Sequence, residues 1–187
     1  GVVVGVFSII GVMTAIRVLQ VNIEKEFSDM GANTFAIQKW PGVYFGGEEG
    51  FEKFWRRKNI TLQDARTLRD RATLAANIGI EDRFWAGEVT SRFARTPPNV
   101  GLIGGTPGSF PAKNLVIADG RPFSNADVEG ARDVCVLGAG LAKSLFPYGS
   151  AMGERVKFSG INYTVIGVLG PKGSPGSGNQ DNFGMVP

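Results

Sequence analysis

The sequence has no histidine and only one cysteine, Cys135. Without histidine, the commonest general base and the commonest metal ligand are both missing. A Ser-His-Asp triad and a histidine-based zinc site are therefore excluded within these residues. One cysteine cannot close an internal disulfide, and its setting, Val134-Cys135-Val136-Leu137, is that of a buried small hydrophobe. A long basic stripe is also missing. The formal net charge is only +3, and the cations are scattered apart from Arg56-Arg57-Lys58, so a nucleic-acid partner is not expected.

What is abundant is glycine, 27 of 187 residues, together with 43% hydrophobic and 20% charged residues. That balance belongs to a folded chain with room for one good core or two small ones. Charge is absent altogether from the opening run, GVVVGVFSIIGVMTAI, which ends at Arg17. Sixteen residues of helix span about 24 Å, short of the ~30 Å hydrocarbon core of a bilayer. A buried core helix, a signal peptide and the end of a membrane span all begin this way. The signal peptide fits worst, because no small-residue cleavage site interrupts the pattern. The sequence does not open on Met, so the expectation is the end of a first transmembrane helix, with Val2, Val3, Val4, Val6, Phe7, Ile9, Ile10 and Val12 in lipid.

Beyond Arg17 the pattern becomes amphipathic. Ile16, Leu19, Ile23, Phe27 and Met30 recur every three or four residues, with Gln20, Glu24, Lys25 and Asp29 on the other faces. This predicts a stalk helix leaving the bilayer, packing through those five residues and capped by Gly31.

The remainder reads as interleaved strands and short helices. Strands are expected at Asn33–Gln38, Leu74–Ile80, Gly87–Phe93, Val100–Gly104, Leu115–Ala118 and Asp133–Leu137. Residues 154–158 and 163–168 read as a hairpin around Ser159-Gly160-Ile161-Asn162. Thr61-Leu-Gln-Asp64 carries the spacing of a capping box and opens a helix, and Ser124-Asn-Ala-Asp127 looks like a second helix start. Residues 40–50, with exposed-looking aromatics, read as a loop or contact surface, and the Gly/Ser-rich stretch after 170 as a flexible loop before a short strand near Met185.

Few motifs point to chemistry. Leu137-Gly-Ala-Gly140, after a strand and before a helix, starts like a dinucleotide fingerprint, but Lys143 stands where the third glycine belongs. A tight strand-to-helix turn explains it as well. Neighbouring carboxylates Glu48-Glu49 and Glu81-Asp82 diverge on any regular backbone and make no acid–base pair. Neither a catalytic residue, nor a cofactor site, nor a metal site is expected.

The ordered set of motifs nevertheless resembles a known family. It comprises GVVVGV, Met30-Gly-Ala-Asn-Thr-Phe-Ala-Ile37, Asp119-Gly-Arg-Pro-Phe-Ser124, Val134-Cys-Val-Leu-Gly138, Leu141-Ala-Lys-Ser-Leu-Phe146, Gly153-Glu-Arg-Val-Lys157, Tyr163-Thr-Val-Ile-Gly-Val-Leu169 and Met185-Val-Pro187. In that order they resemble the periplasmic core domain of MacB/FtsX-type ABC-transporter permeases. The resemblance implies an α+β architecture: an N-terminal transmembrane and stalk helix, then a mixed α/β extracytoplasmic domain of two small subdomains. Residues 1–30 would hold the span and stalk, 31–105 with 171–187 the first subdomain, and 106–170 a second, inserted one. It further implies a non-catalytic domain in the cell inner (plasma) membrane protein, exposed on the periplasmic side. There it would pass ATP-driven stalk movement to export of a macrolide, peptide or lipoprotein. The implied partners are an ABC ATPase domain or subunit, a second permease in a homodimer or heterodimer, and a periplasmic adaptor protein. Tyr44-Phe-Gly-Gly47 and Trp55-Arg-Arg-Lys58 fit no part of the family pattern. Two rival readings stand beside it: a single-span tethered sensor or binding domain, and a membrane-anchored enzyme using Gly138-Ala-Gly140 for a nucleotide.

Overall fold

The computed structural model describes residues 7, 10–14, 17, 34–40, 52, 54–172 and 181–187. The chain divides into two compact units, Gly1–Ala36 and Ile37–Pro187. In the first, the described residues from Phe7 to Arg17 are helical. Phe7, Ile10, Val12 and Met13 are all exposed, and Thr14 Oγ1 donates back to the Ile10 carbonyl at 2.7 Å. Among the described residues, no helix is long and apolar enough to cross a membrane. Val2, Val3, Val4, Val6 and Ile9 of the expected span, and the whole stalk set Ile16, Leu19, Ile23, Phe27 and Met30, lie outside the described residues.

In the second unit Glu52, Phe54 and Trp55 are helical, and helix α1 (Leu62–Arg71) follows them. Thr61 accepts from Asp64 N, and the Asp64 carboxylate accepts from Thr61 N at 3.0 Å, so the capping box is complete. Then follow β1 (Glu81–Gly87), β2 (Val89–Thr90), β3 (Val100–Gly105), α2 (Ser109–Ala112), β4 (Ile117–Gly120) and α3 (Asn125–Glu129). The remaining elements are β5 (Val134–Leu137), α4 (Ala139–Leu145), β6 (Arg155–Phe158), β7 (Ile161–Leu169) and β8 (Phe183–Val186).

All eight strands join one mixed sheet in the order β1-β3-β8-β5-β7-β6-β2, with β4 also paired to β7. The pairs β3–β8 and β5–β7 are parallel; the others are antiparallel. The β6–β7 hairpin turns through Ser159 and Gly160 at φ 46° and 92°, the doubly positive pattern that suits the twist of paired strands.

The two faces of the sheet carry separate cores, as the two-residue period of a strand requires. Leu102, Cys135, Leu137, Val165 and Val186 pack on one face against Leu141 and Leu145 of α4. Ile103, Val136 and Met185 pack on the other with Phe110 of α2 and Phe123, whose rings meet edge to face at 4.9 Å. Thus β3, β5 and β8 are covered on both sides, which is why their sequences run nearly continuously apolar.

Two expected strands are absent. Thr34–Gln38 has no regular structure, and Phe35 and Ile37 are exposed. Leu74–Ile80 is irregular, with Leu74 fully exposed, and the strand starts only at Glu81. Alternation alone does not make a strand; a continuous ladder with a partner backbone does, and neither segment belongs to the sheet, although Thr106 N donates to Ile80 O at 3.1 Å. Of Gly87–Phe93, Gly87 ends β1 opposite Val100 and Val89–Thr90 form β2; pairing to β6 stops there because Ser91 closes a turn, its hydroxyl oxygen accepting from Phe93 N and Ala94 N.

Candidate functional site

Three of the sequence motifs meet the sheet at its corners, and each proves to be a joint. In Asp119-Gly-Arg-Pro-Phe-Ser124, Gly120 has φ +78° and lies so close to β7 that a Cβ would sit 2.3 Å from the Ile166 carbonyl oxygen. Arg121 N then donates to that same carbonyl at 2.9 Å, Phe123 enters the core, and Ser124 caps α3.

Asp127 gathers the rest of this corner. Its carboxylate is fully buried and accepts from Arg121 Nη1 at 2.8 Å, from Arg132 Nη1 at 3.1 Å, and from Ser124 N and Oγ at 2.8 Å each. A buried carboxylate is tolerated when charge and hydrogen bonds surround it in this way. The Arg121 guanidinium first, and then the Ser124 donors, hold its carboxyl far below the ordinary carboxylate range. Sequence reading placed Asp127 in a helix start but did not see its two arginines, which lie six residues before it and five after.

The glycine corner at Gly138-Ala-Gly140 is filled by the chain itself. The Asp181 carbonyl oxygen would lie 2.3 Å from a Cβ on Gly138 and 3.2 Å from one on Gly140. Leu141 N donates to that carbonyl at 3.2 Å, and Gly138 N donates to Phe183 O at 2.9 Å. These glycines let β8 and the turn before it press against the start of α4, in the place where a pyrophosphate would have to rest. Cys135, three residues before Gly138 in β5, is fully buried, and burial pushes its thiol well above the ordinary range.

A third joint ties β1 to the segment after α2. The Lys113 ammonium pairs with Glu81, and Lys172 Nζ donates to the Lys113 carbonyl at 3.1 Å. Lys172 N in turn donates to Asp181 Oδ1 at 3.2 Å, so the polar chain ends at the glycine corner. Burial lowers the Lys113 pKa, and the bond to Glu81 opposes that shift. Among the described residues, no group of three or more Cys, Asp and Glu side chains could hold a metal ion.

The most exposed cluster lies apart from these joints, before α1. Trp40 and Trp55 meet edge to face at 5.2 Å, with Trp55 70% exposed. Arg57 lies over Phe54 at 4.4 Å and Lys39 over Trp40 at 5.5 Å. Of the expected membrane residues, Phe7, Ile10 and Val12 are helical and exposed.

Comparison with known proteins agrees with this arrangement. The family profile described as the MacB-like periplasmic core domain matches residues 1–187. The macrolide export ATP-binding/permease protein MacB of Syntrophobacter fumaroxidans is 30% identical over the whole chain, which covers 26% of that protein. The protein of the same name from Bdellovibrio bacteriovorus is 28% identical, again over the whole chain and 28% of its own length. The chain thus spans about a quarter of the length of these relatives. In fold, it is similar to the periplasmic region of MacB from Actinobacillus actinomycetemcomitans, with TM-score 0.59, 21% identity, and coverage of 76% of this chain and 61% of that one. It is also similar to the extracellular domain of the noncanonic ABC-type transporter YknZ from Gram-positive bacteria, with TM-score 0.55, 23% identity, and coverage of 68% and 62%. The profile match takes in the uncharged opening run and the two-faced sheet together, and the chain belongs to the MacB-like periplasmic core domain family.

Proposed function

We propose that this is the extracytoplasmic domain of an ABC-transporter permease subunit anchored in the cell inner membrane. Its task is to carry ATP-driven movement of the transmembrane stalk to the export of a substrate of the macrolide, peptide or lipoprotein class. The partners of this reading are an ABC ATPase domain or subunit, a second permease in a homodimer or heterodimer, and a periplasmic adaptor protein. The observation that carries it is the family match over all 187 residues. The structure supports it physically: a sheet with both faces packed and its corners tied by Asp127, Asp181 and Lys113 is suited to moving as a body.

In the same proposal residues 1–30 are span and stalk. The parts 31–105 with 171–187 and 106–170 share one sheet, with β8 between β3 of the first and β5 of the second. The nucleotide-enzyme alternative has the Asp181 carbonyl against it.

The test is transport by the full-length protein with its ATPase in proteoliposomes. Ile23→Pro would break a helical stalk and changes no residue of the sheet. The expected result is ATP-dependent export in the wild type, and ATP hydrolysis without export in the variant. Unchanged export in the variant would remove the stalk from the mechanism. A full-length protein that neither hydrolyses ATP nor transports, with or without partners, would favour the tethered sensor.

A further inference from the structure

We infer that the aromatic and basic cluster of Lys39, Trp40 and residues 54–58 is a resting surface on a membrane face rich in anionic phospholipid. The inference rests on the membrane-anchored reading above. The two indoles meet edge to face, with Trp40 39% and Trp55 70% exposed, and among the described residues neither joins a buried core. Nor is there a core beneath them: none of the residues described between 52 and 71 is buried, α1 included.

The cations are arranged around the rings. Lys39 Nζ reaches Asn59 Oδ1 at 2.6 Å while lying over Trp40, and Arg57 Nη1 donates to the Lys39 carbonyl at 3.4 Å while lying over Phe54. Arg56 has an exposed ion pair with Glu52 at 3.5 Å, and Lys58 is exposed. Contacts this exposed are readily exchanged for a phosphate. The combination of exposed indoles and surrounding guanidinium and ammonium groups is the one that settles at the headgroup level of a bilayer: the rings sit in the interface and the cations meet lipid phosphodiesters. The cation run is too short to track a nucleic acid.

Reach agrees with this assignment. A helical stalk over residues 17–30, as the sequence pattern predicts, would rise on the order of 20 Å from the membrane. The stretch from residue 31 to Lys39 spans up to about 30 Å when extended. The tether is therefore long enough to bring the cluster back to the surface from which the stalk rises.

The test uses the full-length protein carrying a nitroxide label at Ile60→Cys, or at Tyr148→Cys as a reference, since Tyr148 is 96% exposed. Each is placed in nanodiscs of phosphatidylcholine alone or of phosphatidylcholine with phosphatidylglycerol. Power saturation with oxygen and with a nickel chelate reads the depth of the label. In the anionic discs, the oxygen-to-nickel accessibility ratio at position 60 is expected to exceed that at 148 several-fold. Arg56→Glu with Arg57→Glu should bring it back to the reference value. A ratio equal to that at 148, or one the same in both lipids, overturns the inference. A label shielded from both reagents also overturns it, and assigns the surface to a protein partner instead. Alkaline washing separates the two proposals. A protein that leaves the membrane sinks the anchored reading and this inference together; one that stays, with position 60 away from lipid, sinks this inference alone.

Discussion

Arg121 holds Asp127 from outside the fold: the carboxylate is completely buried, the arginine is half exposed, and 2.8 Å separates Nη1 from Oδ2. The arginine keeps its solvation while the aspartate gives up its own, so the pair avoids the cost of burying two charges. It binds the end of β4 to α3, and Arg132 repeats the bond from the far side.

This pair gives the domain an acid-sensitive corner. The folded-state pKa of Asp127 is depressed, so its contribution is fully present above the ordinary carboxylate value of 3.8 and is lost as pH falls below it. Asp127→Asn removes both the charge and this dependence. The variant should melt at least about 5 °C lower near neutral pH. Its Tm should then fall less than that of the wild type between about pH 4 and pH 2. Thermal melts across that range decide the matter, and parallel falls in the two proteins would show that the acid sensitivity originates elsewhere.

Two glycines with similar backbones separate strain from crowding. Gly120 and Gly153 have φ +78° and +75°, but only Gly120 faces neighbours, with Ile166 O and Met152 Cε 2.3 and 2.4 Å from a built Cβ. Gly153→Ala should cost about 1–2 kcal/mol, the left-handed penalty alone. Gly120→Ala should cost clearly more, because backbone must move as well. Denaturant melts of the two variants measure the difference; equal losses would mean that the β4–β7 corner yields more easily than its geometry implies.

The contrast bears on what could be read from the sequence. The Thr61–Asp64 capping box, the helix start at Ser124, the β6–β7 hairpin, β5 and α4 were legible because each is specified by residues within a few positions of one another. The glycine corner at 138–140 was legible as a turn, yet what fills it comes from Asp181, some forty residues along. Likewise β1, Glu-Asp-Arg-Phe-Trp-Ala-Gly, shows no alternation: it lies at an end of the strand order and leaves Trp85 78% exposed, so its pairing to β3 is visible only in the fold. The expected strand Asn33–Gln38 erred the other way: it has a strand's alternation, yet residues 34–38 have no regular structure.

Helix α1 should behave as a separable element. Its cap is complete, but it buries no residue. Thr61→Ala removes the cap's side-chain bond to Asp64 N. Amide exchange over residues 62–71 is expected to speed up by on the order of fivefold. Exchange in β5 and β7 should not change. Mass-resolved hydrogen exchange tests this, and a matching increase in the sheet would show that α1 supports the core after all.

The last prediction uses Cys135 as a built-in reporter of the glycine corner. The thiol is fully buried and its pKa is raised by that burial, so an aromatic disulfide reagent at mildly alkaline pH should leave the folded protein unmodified at this position. Gly138→Ala places a Cβ against the Asp181 carbonyl, 2.3 Å away, and neither backbone can yield without parting β8 from the start of α4. Since β8 pairs directly with β5, the strand that carries Cys135, that movement opens a route to the sulfur. Modification of Cys135 should therefore accelerate by at least about tenfold in Gly138→Ala, while Gly149→Ala, where a Cβ meets open space, should match the wild type. Peptide-resolved mass spectrometry after timed labelling reads the rate at this residue. If Gly138→Ala labels no faster than Gly149→Ala, the corner tolerates a side chain, and the close approach of Asp181 is not what keeps β8 in place.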